Sequence, residues 1–173
     1  LNTKTIYLCD CLEKEDQLYR KGKTFVLHNS LSLADEQEIE AKRKKPNINS
    51  GYLKILFFSN ISWAKGIDIA VAASHYLTSM GRLHDLMMCG LPIDHGIARK
   101  YNCNVTVEHS NRLEILGQYD MLLMPSRSEG FPITLLEAML IGIPFATTDV
   151  GCIRDMVGPD YRYTSPVTQD DFN

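Results

Sequence analysis

Residues 53–59, LKILFFS, form a nearly continuous apolar run. A run of this kind suits a strand buried on both faces, and such strands belong to parallel sheets with helices above and below. The run therefore predicts a central strand with alternate side chains buried on either side. The rest of the chain repeats the pattern. β-rich runs at 6–9, 24–28, 86–89, 105–107, 121–124, 144–147 and 161–163 alternate with helix-like stretches at 12–20, 34–45, 65–80, 93–101, 112–117, 131–141 and 152–156. Strands alternating with helices imply βαβ units. The expected fold is α/β, a Rossmann-like three-layer αβα domain with a mainly parallel sheet. Ligands of such sheets bind beyond the carboxyl ends of the strands. The loops at 59–65, 90–94, 108–111, 125–130 and 149–153 are therefore the places to look for chemistry.

Length and charge narrow the class. The 173 residues suffice for one domain, and 45% hydrophobic with 23% charged residues is globular composition. A net charge of −3 argues against a nucleic-acid partner. The stretch 45–51, KPNINSG, is the clearest linker. It divides the chain into first strands (1–30), a helix with the linker (31–50) and the main domain (51–173). The basic cluster Lys42-Arg43-Lys44-Lys45 reads first as a solvated helix end, and second as a contact with an anionic membrane surface. No apolar run reaches the length of a membrane helix, and the amino terminus has no signal-peptide layout. Five cysteines with no C-x-x-C pair argue against a disulfide framework or a zinc ribbon, and point to a reducing cytoplasm. No D-x-D pair occurs and the histidines are scattered, so no metal site is expected; His109 is foremost a surface or hydrogen-bonded residue.

The densest signal runs from Pro125 to Glu137, PSRSEGFPITLLE. Pro132 sits where helix starts favour proline. The free amides near Gly130, Phe131 and Ile133 offer a place for an anion such as phosphate. Gly130 has no side chain, so a ligand can approach the backbone. Glu137 is the only charge between Phe131 and Thr148. A carboxylate there needs a protein donor or a ligand with paired hydroxyls. Glu129 either faces the cleft or is a plain helix-start acid. The second signal is Ser59-Asn60-Ile61-Ser62-Trp63-Ala64-Lys65-Gly66, in which Lys65 can hold a phosphate as a point charge. Neither G-x-x-x-x-G-K-[ST] nor G-x-G-x-x-G is present, so a P-loop or a dinucleotide site is poorly supported.

Several of these segments together resemble the carboxy-terminal, donor-binding half of retaining GT-B glycosyltransferases. They are Lys65-Gly66-Ile67-Asp68, Asp120 to Ser126, Glu129-Gly130-Phe131-Pro132 with Glu137-Ala138-Met139, Gly142-Ile143-Pro144 and Thr148-Asp149-Val150-Gly151. Glu129 and Glu137, with seven residues between them, look like that family's E-x(7)-E motif, and Val26-Leu27-His28-Asn29-Ser30 looks like its V-I-P-N-G. The resemblance implies a nucleotide-sugar substrate, transfer with retention, and no metal or other cofactor. It implies that Glu129 contacts the transferred sugar and is the catalytic candidate. It implies that Glu137 holds the ribose, that the Gly130 and Phe131 amides face the sugar and β-phosphate, and that Lys65 neutralises the diphosphate. Ser59, Asn60 and Pro132 complete the implied donor site. The chain departs from the family at Ser59-Asn60, where glycine-arginine is common, at Cys152, where a second glycine is common, and at Ser30, where glycine is usual.

The expectation is therefore an excised, truncated donor-binding lobe whose acceptor lobe is missing. Alone it would bind donor without efficient transfer. The acceptor would be a glycan, lipid-linked or other hydroxyl, and the whole enzyme would be cytoplasmic, with a peripheral contact at the inner membrane face. A nucleotide-sugar epimerase of the same architecture and a non-catalytic binding module are the alternatives.

Overall fold

The structure, a computed structural model, describes residues 5–8, 13–14, 24–32, 34, 37–38, 41, 51–90, 95–100 and 112–166. Its centre is a five-stranded sheet made of β3 (Tyr52–Phe58), β4 (Leu83–Cys89), β5 (Met121–Met124), β6 (Phe145–Thr148) and β7 (Thr164–Ser165), in the order β4-β3-β5-β6-β7. Every pairing in it is parallel. β3 pairs along its whole length with β4 and at Ile55 and Leu56 with β5, so it is interior, as its apolar run predicts. Successive strand residues point to opposite faces. Leu56 and Phe57 are nonetheless both 1% exposed. Removing each such side chain from water is worth roughly 1.5–3 kcal/mol. A separate parallel pair, β1 (Thr5–Tyr7) and β2 (Thr24–Val26), precedes the sheet.

Helices cover both faces. On one, Leu56, Phe58, Leu122, Met124 and Phe145 pack against Leu113 and Leu116 of α3 (Arg112–Leu116), Leu135, Ala138 and Ile141 of α4 (Ile133–Ile141), and Ile153 of α5 (Ile153–Val157). On the other, Phe57 and Leu123 pack against Ile67 and Ala70 of α1 (Ile67–Ser79). The short α2 (His95–Lys100) follows β4. α4 is apolar almost all round, which suits a helix sunk into the core.

The sheet order locates the site. β3 leads through α1 to β4 on one side, whereas β5 adds to the other side. Strand order therefore reverses between β3 and β5. Loops that leave adjacent strands in opposite directions open a crevice at their carboxyl ends. That crevice lies between the loop after β3, with Lys65, and the loop after β5, with Glu129.

The structure corrects several boundaries. The helix expected from Lys65 begins at Ile67, after a 3-10 turn at Trp63–Lys65. β4 starts at Leu83 rather than at 86, because the backbone ladder with β3 carries the polar His84 and Asp85 as readily as apolar residues. Pro132 is the N-cap of α4, with extended dihedrals (φ −72°, ψ 113°), rather than its first helical residue. The last strand lies at Thr164–Ser165, not 161–163. Tyr161 is used for packing instead: its ring stacks on Phe145 at 4.5 Å and its hydroxyl donates to the Phe145 carbonyl at 2.7 Å. The strand expected at 105–107, the basic cluster 42–45 and His109 lie outside the described residues, as do most of the helices expected at 12–20 and 34–45.

Candidate functional site

Lys65 and Glu129 meet at the switch point. Lys65 Nζ lies 2.8 Å from Glu129 Oε2 and donates to the Ser128 carbonyl at 3.4 Å. The Ser126 hydroxyl donates to Glu129 Oε1 at 2.6 Å. Each carboxylate oxygen of Glu129 thus has its own donor, one of them charged. The pair is partly open to solvent, with side-chain exposures of 23% for Lys65 and 9% for Glu129. It is a cation and an anion accessible from one crevice, which is the chemistry needed to bind phosphate beside hydroxyl groups.

Backbone contacts seat both residues. Gly66, at φ +70°, lets the turn after β3 press on the loop after β5: a Cβ there would fall 1.8 Å from the Pro125 carbonyl oxygen. Gly151, at φ +56°, does the same from the loop after β6, since its Cβ would fall 1.9 Å from the Glu129 carbonyl oxygen. Only glycine tolerates both the left-handed backbone and the close approach. The next amide, of Cys152, donates to the Gly130 carbonyl at 3.1 Å, and the Thr148 hydroxyl donates to the Ser126 carbonyl. Gly130 differs from these glycines. Its backbone is ordinary, and a Cβ would only touch Leu8 Cδ1 at 3.5 Å. The protein's own packing does not demand a glycine there. Phe131 is held by Asn29, whose Nδ2 donates to the Phe131 carbonyl at 2.8 Å, and by His28, whose ring stacks on it at 5.2 Å.

Two charged residues that sequence reasoning passed over are central to this arrangement. Arg127 forks onto Asp68, with Nη1–Oδ1 at 2.8 Å and Nη2–Oδ2 at 2.7 Å. Its Nη1 also donates to the Trp63 carbonyl at 2.9 Å, and its guanidinium lies 3.5 Å over the Trp63 ring. Burial pushes the Asp68 carboxyl up, but the hydrogen bonds and charge of Arg127, with the Asp68 and Ile69 amides, outweigh it and hold the group below the usual carboxylate range. Asp68 and Arg127 stand far apart in sequence, in two segments that are each quoted above. The available signal was one acid and one cation in segments that follow strands which become neighbours. Arg127 does not replace the cation missing at Asn60, because its charge is committed to Asp68.

The remaining candidates are placed less closely. No hydrogen bond or ion pair among the described residues ties Ser59 or Asn60 to Lys65, Glu129 or Gly130. The Ser59 amide donates instead to the Cys89 carbonyl at 3.1 Å. α4 begins at Pro132 with no side-chain cap and no acid in its first turn. Its first amides are thus left for another acceptor. Glu137 lies on α4, 1% exposed, beside the fully buried Leu135, Ala138 and Ile141. Its Oε2 accepts no hydrogen bond from the described residues, although the side chain has other interactions. Among the described residues no group of three or more His, Cys, Asp or Glu side chains is placed to hold a metal, and no helix is long and apolar enough to cross a membrane. Burial pushes the Cys89 thiol up, so it is not an activated nucleophile. Cys152 is fully buried and disulfide-bonded. Spacing in sequence does not register which thiols the fold brings together.

A parallel sheet in this order, with paired charges at its switch point and an uncapped helix start following in the chain, defines a Rossmann-like lobe. The chain belongs to the family of glycosyl transferases group 1, whose model matches residues 38–172. It is 30% identical over 121 residues to the O-antigen biosynthesis glycosyltransferase WclY of Escherichia coli, covering 66% of this chain and 33% of that protein. Its fold is similar to that of WaaG, a glycosyltransferase involved in lipopolysaccharide biosynthesis (TM-score 0.70, 20% identity, 95% of this chain and 49% of the other). It is also similar to that of HepE of Anabaena in complex with UDP and glucose (TM-score 0.66, 15% identity, 94% and 48%). The chain thus spans about a third to a half of the proteins it resembles.

Proposed function

We propose that this chain is the donor-binding lobe of a retaining GT-B glycosyltransferase, with residues 51–173 holding the nucleotide-sugar. The observation that carries the reading is the Lys65–Glu129 pair, 2.8 Å apart at the strand-order reversal. A diphosphate carries more negative charge than one carboxylate and competes with Glu129 for Lys65. Lys65 and the first amides of α4 then take the phosphates. Glu129, released from the lysine and still held by Ser126, accepts from hydroxyls of the sugar. Glu137 accepts from the ribose hydroxyls. Charge that develops on the leaving diphosphate is stabilised by the same lysine and amides. Gly130 leaves room for the sugar. The acceptor, a glycan or lipid-linked hydroxyl, is bound by a second lobe outside this chain, at the membrane face. Retention rests on the resemblance of the Glu129–Glu137 spacing to the E-x(7)-E motif. The complex of HepE with UDP and glucose supports a nucleoside diphosphate as the ligand class.

The test is calorimetric titration of the chain with UDP, GDP, ADP and inorganic pyrophosphate, for wild type and Lys65→Ala. Binding that weakens about tenfold in the variant, equivalent to about 1.4 kcal/mol, is the expected result. Equal binding by both proteins removes Lys65 from the site. In the longer protein, the anomeric configuration of the product, read by NMR, tests retention.

A further inference from the structure

We propose that Asp68 and Arg127 are positioning residues for the donor site, a clamp that holds Lys65 and Glu129 in register without touching the donor; this rests on the reading of Lys65 as a diphosphate ligand. Arg127 belongs to the loop after β5, whereas Asp68 and Trp63, which its side chain grips, belong to the segment after β3. The carboxylate of Asp68 takes two of its N–H groups, the Trp63 carbonyl takes a third contact, and the Trp63 ring takes its flat face. Its backbone joins the same seam, since the Arg127 amide donates to the Ala64 carbonyl at 2.8 Å. The Arg127 side chain is 4% exposed, with both terminal nitrogens bonded to protein and one face of the guanidinium covered by Trp63.

The consequence lies in the spacing. Trp63 is two residues before Lys65, and Arg127 is two residues before Glu129. The clamp therefore fixes the two loops one step from where each presents its charged side chain to the crevice. A bidentate fork constrains direction as well as distance, which a single lysine contact does not. Without it, the long Lys65 side chain and the glutamate would have to be ordered by the ligand at the moment of binding. Ordering each such side chain costs roughly 0.5–1.5 kcal/mol.

A merely structural ion pair and a positioning pair differ in thermodynamic coupling to Lys65. The experiment is a double-mutant cycle on UDP binding with wild type, Lys65→Ala, Asp68→Asn and the double variant. Trp63, the chain's single tryptophan, reports on the clamp through its emission, and circular dichroism checks the fold. A positioning role predicts that Lys65→Ala weakens UDP binding about tenfold in wild type but less than about twofold in the Asp68→Asn background. If Lys65→Ala costs the same factor in both backgrounds, the pair is only structural and the proposal is overturned. If Lys65→Ala has no effect in wild type either, the donor-site reading itself fails and takes this proposal with it. Should Asp68→Asn not fold, Arg127→Lys serves in the same cycle, because it keeps the charge but loses the fork and the flat stack. The same loss of coupling is then expected.

Discussion

Glu129 and Glu137 sit on one loop-helix unit with seven residues between them, yet their surroundings are opposite. Glu129 stands at the mouth of the crevice, with a lysine on one oxygen and a serine hydroxyl on the other. Glu137 is sunk among the apolar residues of α4 and packed at the level of the core. Identical side chains in one motif therefore start from different states. The first is already paired, so under the proposed reading it exchanges a partner when the donor binds. The second is buried at the level of the core and already has interactions within the protein.

The largest effect that separates the two comes from the backbone under Glu129. Gly151→Ala places a Cβ in the Glu129 carbonyl at a left-handed position. It is expected to cost about 3 kcal/mol of stability in thermal unfolding. Gly130→Ala, where the Cβ has room, should cost less than about 1 kcal/mol while still weakening binding of a sugar nucleotide. Equal losses of stability at the two glycines would contradict the seating described here.

Next come the glutamates themselves. Glu137→Gln should weaken UDP binding about tenfold and leave pyrophosphate binding within about twofold, because only the nucleotide brings a ribose. Glu129→Gln should leave UDP binding within about twofold and depress turnover in the longer enzyme, since its contact matters as charge develops on the sugar. Calorimetry and initial rates decide. If both variants lose UDP affinity equally and keep turnover at saturation, the division of labour is wrong.

The smallest effect is in pH. The Asp68 carboxyl is held below its usual range in the folded chain. A carboxyl with a depressed folded value contributes stability above its unfolded value, near pH 4, and loses it as pH falls through the folded value. The thermal midpoint of the wild type should therefore decline below about pH 4, and Asp68→Asn should flatten that part of the curve while lowering the plateau at neutral pH. An unchanged acid limb in the variant would take Asp68 out of the linkage.

Much of the fold was legible because its signals are local. The apolar run at 53–59 marked an interior strand, and 121–124 marked β5 to the residue. Gly142 and Pro132 bracketed α4 to within a residue or two. β4 was read short, since its first half lacks an apolar pattern and is fixed by pairing with β3. β7 was misplaced, since Tyr161 and Tyr163 have strand-like chemistry but Tyr161 is recruited by Phe145. Within the site, Lys65 and Glu129 were legible one by one. Their meeting was not, because it depends on β3 and β5 becoming neighbours.

The sequence alone determined what each segment is able to be: which runs are buried, where helices start, which loops carry charge and where glycine frees the backbone. Those properties follow from periodicity and from the chemistry of single residues, so neighbours in the chain suffice to read them. Only the tertiary structure decided which charges pair. Arg127 and Asp68 lie in separate segments, and nothing in their neighbours in the chain marks them as a pair. The strand-order reversal brings them together across the β3–β5 seam, where excluding water makes an unpaired charge costly. That cost commits Arg127 to the protein, whereas Lys65 is partly exposed and pairs with Glu129 at the crevice.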